Sequence, residues 1–222
     1  HLDVVPAHPE QFVPRVDGDS LFGRGAYDMK GGLAAMMYAL RDVAGQDRVR
    51  VLLVCVPDEE AGEVERHATD WFLNDRGLRA DFAITGEPTD LHVGVQAKGV
   101  LALRAVVSGV AAHGSTPWLG DNAILKAHDA FRRIESLPFS RQSTELFDRP
   151  SINLARISGG DAINKVPDSC TIDVDIRYLP GQDPEQILAE ISGIEDLEIV
   201  RSFTWPPAVV SPVNPYVVAL RA

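Results

Sequence analysis

VRVLLVCVPDEE (49–60) is a near-continuous β-branched and apolar run that ends in three acids. Such a run marks a strand buried on both faces, as in a parallel sheet. DFAIT (81–85) reads as a second strand of the same kind, and LDVVP (2–6) as a short strand end. KGGLAAMMYALRDVA (30–44) carries apolar residues at helical spacing among good helix formers, and 63–75 reads as a further helix. Strand and helix alternating at this spacing predict an α/β unit with a mostly parallel sheet.

Past residue 96 the texture changes. VLALRAVVSG (100–109) and SCTIDVDIRYL (169–179) alternate apolar and polar residues, as strands with one solvated face do. An amphipathic helix at about 121–136 and a strand, SINLARISG (151–159), lie between them. DPEQILAEISG (183–193) reads as a helix with Asp183 at its N-cap and Pro184 at its first position; LEIVRSF (197–203) follows as a last strand. These elements make an α+β two-layer sandwich. The expected division is 1–95, 96–204 and a proline-rich return, 205–222, that starts WPPAVVSPVNP.

The 222 residues are 45% hydrophobic, enough for real cores, and the net charge is −11. A surface that acidic repels phosphate backbones, so nucleic acid is not an expected partner. No apolar run approaches the roughly 20 residues that cross a bilayer, so no membrane is expected either. Both termini fall inside apolar segments and read as cut, at His1 and at Ala222. Cys55 and Cys170 lack ligand-like spacing and are expected as small buried hydrophobes, which suits a cytoplasmic protein.

The chemistry-bearing residues gather at predicted strand ends. In an open parallel sheet that carboxyl edge is where ligands bind. His1 and Asp3 are two apart on a strand and share a face, which suits a metal-binding imidazole oriented by a carboxylate. Asp28 lies in the glycine-rich GRGAYDMKGG; Asp58, Glu59 and Glu60 follow one buried run; Glu87 follows the other. Taken singly, the acidic triplet reads as a solvated turn and His1 as a surface or core residue. GRGAYD lacks the third glycine of a dinucleotide loop. Together, so many carboxylates in one cleft repel unless cations neutralise them. Two metals about 3.5–4 Å apart can share a carboxylate, polarise a carbonyl and acidify a water, with a nearby free carboxylate as base.

HLDVVP, LFGRGAYDMKGG, PDEEAG, GEPTD, VAAHGSTPWLGDNAI and GGDAINKVPDSCTIDVDIRYLPG, in that order, resemble the co-catalytic zinc peptidases and deacylases. That group, metallopeptidase family twenty, includes acetylornithine deacetylase, succinyl-diaminopimelate desuccinylase, the aminoacylases and glutamate carboxypeptidase. The resemblance implies that His1 and Glu87 bind one metal, Asp28 bridges both and Glu60 binds the second. It implies two divalent ions, zinc first, with cobalt or manganese as alternatives. Glu59 would be the general base, Asp3 would orient His1, and a cis peptide would follow Asp28. The second domain would be a lid and dimerisation domain. From it His113 would reach the partner subunit's site, while Asn164 and Arg177 would hold substrate, Arg177 through its carboxylate-matching fork.

The family's final histidine ligand has no match here, so the second metal site is expected to be incomplete. His8, His67, His92 and His128 fall outside the motifs and read as surface or packing residues. Glu87 and the segment QAKGVLAL (96–103) resemble the deacylases, which implies hydrolysis of an N-acyl amino acid in a homodimer. A carboxypeptidase or dipeptidase with the same machinery, or an inactive dimer, is the alternative.

Overall fold

A hairpin, a helix pair and a half-open sandwich account for most of the regular structure in the computed structural model, which describes residues 1–62 and 66–221. Its contacts divide the chain into two units, His1–Val93 and Gly94–Ala222. The mixed α and β fold class is the expected one, with the α+β two-layer sandwich in the second unit; the strands described in the first unit pair antiparallel, and no parallel ladder is among the described residues.

In the first unit, β1 (Arg15–Asp17) and β2 (Ser20–Phe22) form an antiparallel hairpin. A tight turn over Ala26–Lys30 leads into α1 (Gly31–Asp42), and the Asp28–Met29 peptide bond within that turn is cis. α2 (Ala68–Asn74) is shorter than the helix expected over 63–75, whose positions 63–65 lie outside the described residues. It starts where it does because Asp58 Oδ2 accepts from Ala68 N at 2.7 Å, satisfying one of the free N–H groups at the helix start.

The segments 2–6, 49–56 and 81–85 carry no strand ladder among the described residues. The run expected to be buried on both faces is largely exposed: Val49, Val51 and Leu52 each keep half or more of their surface, and Cys55 is exposed too. The expectation of a buried Cys55 is therefore corrected. A two-sided strand needs bonded neighbours and a layer on each face. Among the described residues, the one backbone bond between these three segments is Leu2 N to Val56 O, at 2.8 Å.

In the second unit, β3 (Gln96–Ala97) precedes β4 (Gly99–Ser108), α3 (Ala123–Ile134), β5 (Ser151–Gly159) and β6 (Ser169–Tyr178). α4 (Pro184–Ser192), β7 (Leu197–Trp205), β8 (Ala208–Val209) and α5 (Pro215–Arg221) follow. β5, β6, β4 and β7, in that order, form one antiparallel sheet, and β8 pairs with β3. The alternation is realised residue by residue. Leu101, Leu103, Ala105 and Val107 of β4, with Ile172, Val174 and Ile176 of β6, are buried against Ala127, Ile134, Ile187 and Ile191 of the helices. Asn122 caps α3 by accepting from Ile124 N at 2.9 Å, and Asp183 caps α4 by accepting from Glu185 N at 3.0 Å. On the open face, Asp173 takes both arms of Arg104 (2.7 and 2.8 Å) and also Arg156 at 3.2 Å. A register shift between Leu154 and Arg156 puts Arg156 opposite Asp173. No helix among the described residues is long and apolar enough to cross a membrane.

Candidate metal centre

Four separate stretches of the first unit meet around His1. The Leu2–Val56 backbone bond sets the chain start against the segment that leads into Pro57–Glu60. Asp3 then fastens the acidic stretch, its Oδ1 accepting from Glu59 N at 3.2 Å and its Oδ2 from Glu60 N at 2.8 Å. The 84–87 stretch is brought in by a close approach to α1. A Cβ on Gly32 would stand 2.3 Å from the Gly86 carbonyl oxygen, so glycine at 32 is what lets the Glu87 stretch sit against the first turn of the helix.

The His1 side chain is buried to within 1% of full coverage, while Asp28, Glu59 and Glu87 keep between 38% and 53% of theirs. Its Nδ1 faces the Asp3 carbonyl at 3.0 Å and Asp3 Oδ1 at 3.3 Å. Nε2 is thereby directed at carboxylates: Asp28 Oδ1 at 3.1 Å, Glu59 Oε2 at 3.9 Å and Glu87 Oε1 at 3.9 Å. Two donor triads result, His1–Asp28–Glu87 and His1–Glu59–Glu60, each with its ligand atoms within 4.8 Å of one another. Glu60 thus groups with His1 and Glu59, and Asp28 falls in the other triad.

The electrostatics are those of a site that wants a cation. Burial first, then the charges of Asp28 and Glu59, pushes the Glu60 carboxyl up from its ordinary value. Glu87 is pushed up by burial and then by Glu59. For His1 burial pulls downward, but Asp28, the Asp3 carbonyl, Glu87 and Glu59 outweigh it and raise the imidazole above 6.5. One imidazole nitrogen ringed by carboxylate oxygens is a nitrogen–oxygen donor set that zinc accepts. A divalent ion there would reverse each of these shifts, because it stabilises the deprotonated form of every donor.

Asp58 stands apart from Glu59 and Glu60. It caps α2, and its carbonyl meets His67 Nδ1 at 2.7 Å. No local spacing announces that role, since the helix it caps begins ten residues on. His8, His92 and His128 are exposed, His67 is half-buried, and none of the four joins a donor triad among the described residues.

The other expected site residues belong to the second unit. His113 is exposed, with Nδ1 2.8 Å from Ser115 Oγ and accepting from Ser115 N at 3.1 Å. Asn164 is exposed beside it in the fold, its carbonyl accepting from Gly114 N at 2.7 Å. Arg177 is exposed on β6 and donates through Nε to Asp175 Oδ2 at 3.0 Å.

Residues 95–195 match a family profile described as a peptidase dimerisation domain. The chain is 35% identical over 194 residues to a probable carboxypeptidase of Aspergillus terreus (strain NIH 2624 / FGSC A1156), covering 83% of this chain and 45% of that protein. It is 33% identical over 217 residues to the acetylornithine deacetylase of Salmonella paratyphi B (strain ATCC BAA-1250 / SPB7), covering 93% of this chain and 55% of the relative. The chain therefore spans about half the length of the curated relatives it matches. Among solved structures, a tripeptidase from Staphylococcus aureus subsp. aureus Mu50 superposes with a TM-score of 0.69 at 24% identity, over 94% of this chain and 58% of that one. An M20 family metallo-carboxypeptidase from Sulfolobus solfataricus gives 0.67 at 18% identity, over 98% and 66%. At these identities the two structures show a shared fold.

Proposed function

From a chain that belongs to the M20 peptidase family, we propose that His1–Val93 carries the reaction centre of a zinc-dependent amidohydrolase acting on N-acyl amino acids. The observation that carries this reading is the His1 imidazole, fixed from behind by Asp3 and aimed at Asp28 at 3.1 Å, with Glu59 and Glu87 at 3.9 Å. His1, Asp28 and Glu87 would hold one ion and Asp28 with Glu60 the second. When bound, the ions supply Lewis-acid polarisation of the acyl carbonyl and of a water.

Glu59 is the acid left for proton transfer, being among the least buried of the set. It would take a proton from water as the water oxygen adds to the acyl carbonyl carbon, and return it to the amide nitrogen as the C–N bond breaks, giving a carboxylate and a free amine. Arg177 would fix the substrate α-carboxylate, with Asn164 beside the substrate. His113 would act across a homodimer formed by the second unit, which the dimerisation-domain match supports. The proposal includes a cytoplasmic setting, which suits the two free thiols of Cys55 and Cys170.

The Aspergillus terreus relative favours a second reading, a carboxypeptidase using the same acids. A panel of N-acyl amino acids and short peptides separates the two: release from peptides alone selects the carboxypeptidase. Glu59→Gln is expected to lower hydrolysis by at least about 100-fold while zinc still binds. Unchanged turnover in that variant, or no zinc bound by the parent in a calorimetric titration, would rule out the assignment.

A further inference from the structure

A cavity of about 860 Å³ opens beside the carboxylates of Asp28 and Glu60, entirely within the first unit. Much of its wall is apolar, from Val5, Val13, Pro14 and Phe22, with the ring of Tyr27 alongside. Two cations also line it. Arg15 is already engaged, paired with Asp17 at 2.9 Å and lying 4.3 Å over the Phe22 ring. Arg24 is not. Its Nε is buried without a hydrogen-bond partner, and no carboxylate among the described residues comes within ion-pairing distance of its guanidinium. Glu10 lines the same cavity without closing that gap.

We propose that this cavity takes one arm of the substrate and that Arg24 reads a carboxylate at the end of a short aliphatic stem on that arm. The inference rests on the proposed metal-dependent reaction and names the substrate class for it. A half-buried cation with no counter-charge is costly, and a ligand that supplies the counter-charge recovers that cost. The guanidinium fork matches a carboxylate with two parallel bonds. The apolar side chains that line the cavity together with Arg24, Asp28 and Glu60 suit a methylene stem, since they offer it contact without polar groups to be satisfied. A substrate carrying only an acetyl group and a small side chain leaves Arg24 unpaired and is discriminated against. The carboxylate can come from a dicarboxylic acyl group or from an acidic amino-acid side chain.

The test is calorimetric binding of N-succinyl-alanine, N-acetylglutamate and N-acetylalanine to the Glu59→Gln protein, with and without zinc, in the presence and absence of Arg24→Gln. With Arg24 present, one of the two extra carboxylates should tighten binding at least about tenfold over N-acetylalanine. Arg24→Gln should erase that advantage. A preference for N-succinyl-alanine assigns the arm to the acyl group; a preference for N-acetylglutamate assigns it to the side chain. Equal binding of all three, or a preference that survives Arg24→Gln, overturns the proposal. If Arg24→Gln fails to fold by circular dichroism, Val13→Trp fills the cavity without touching the cation, and a preference that survives it is equally fatal. Zinc that binds with no ligand preference defeats this inference alone. A preference without zinc binding defeats the metal-dependent reading and leaves the Arg24 pocket standing.

Discussion

Asp3 is the residue on which the geometry of the centre turns. Its carbonyl and one carboxylate oxygen face His1 Nδ1, while both carboxylate oxygens accept from the backbone of Glu59 and Glu60. It therefore fixes which imidazole nitrogen is free and where the acidic stretch lies, without needing to touch the ion. Partners of this kind usually change metal affinity by about 10–100-fold when altered. Asp3→Asn is expected to weaken zinc binding by that amount, because an amide cannot accept from both N–H groups through two oxygens. A calorimetric titration that gave equal affinities for the variant and the parent would remove Asp3 from this role.

At the scale of elements, the sheet of the second unit is pinned on its open face by Asp173. The Arg104 guanidinium first, and Arg156 with it, holds the Asp173 carboxyl below its ordinary value against the opposing effect of burial. The register shift in β5 lets Arg156 join, so the three charges link β5, β6 and β4. Because folding lowers this pKa, the contribution is full above the unfolded value near about 3.9 and is lost as pH falls through the folded value. Asp173→Asn should cost about 1 kcal/mol at pH 7, a figure held down by the exposure of both arginines. Urea unfolding should show the gap between variant and parent closing below about pH 4; a gap that stays constant to pH 2 would contradict the ion-pair account.

On the scale of the whole molecule, the two units answer to different forces. The second has a continuous apolar core between sheet and helices, with Leu101, Ile134, Ile172 and Ile176 fully covered. The first has few buried apolar side chains, and acids that repel one another surround His1. An ion bound to the first unit should therefore stabilise that unit selectively. At about 100 times its Kd, zinc adds about 2.7 kcal/mol to the state that binds it, which slows amide exchange by opening of that state about 100-fold. Exchange measured with and without zinc should slow in Gly31–Asp42 and stay unchanged in Ser169–Tyr178. Equal slowing in both would contradict a site contained in His1–Val93.

Much of this was legible from one strand of letters, and the part that was not has a common cause. The sandwich elements follow from local rules: the period-two pattern of β4 and β6, Asp183 at a helix start, and Pro184 inside the first turn. His1, Glu59, Glu60 and Glu87 could be singled out beside apolar runs and Asp28 in a glycine-rich loop, and their side chains do converge. Tertiary structure alone decided that Asp58 leaves the acidic triplet to cap α2, and that Glu60 groups with His1 and Glu59. It alone decided that 49–56 is largely exposed and that Arg24 lines a cavity with its Nε unpartnered among the described residues. Periodicity and caps are written within a few residues. Burial and charge pairing depend on what comes close from elsewhere in the chain, such as the Gly86 carbonyl that only glycine at position 32 can admit.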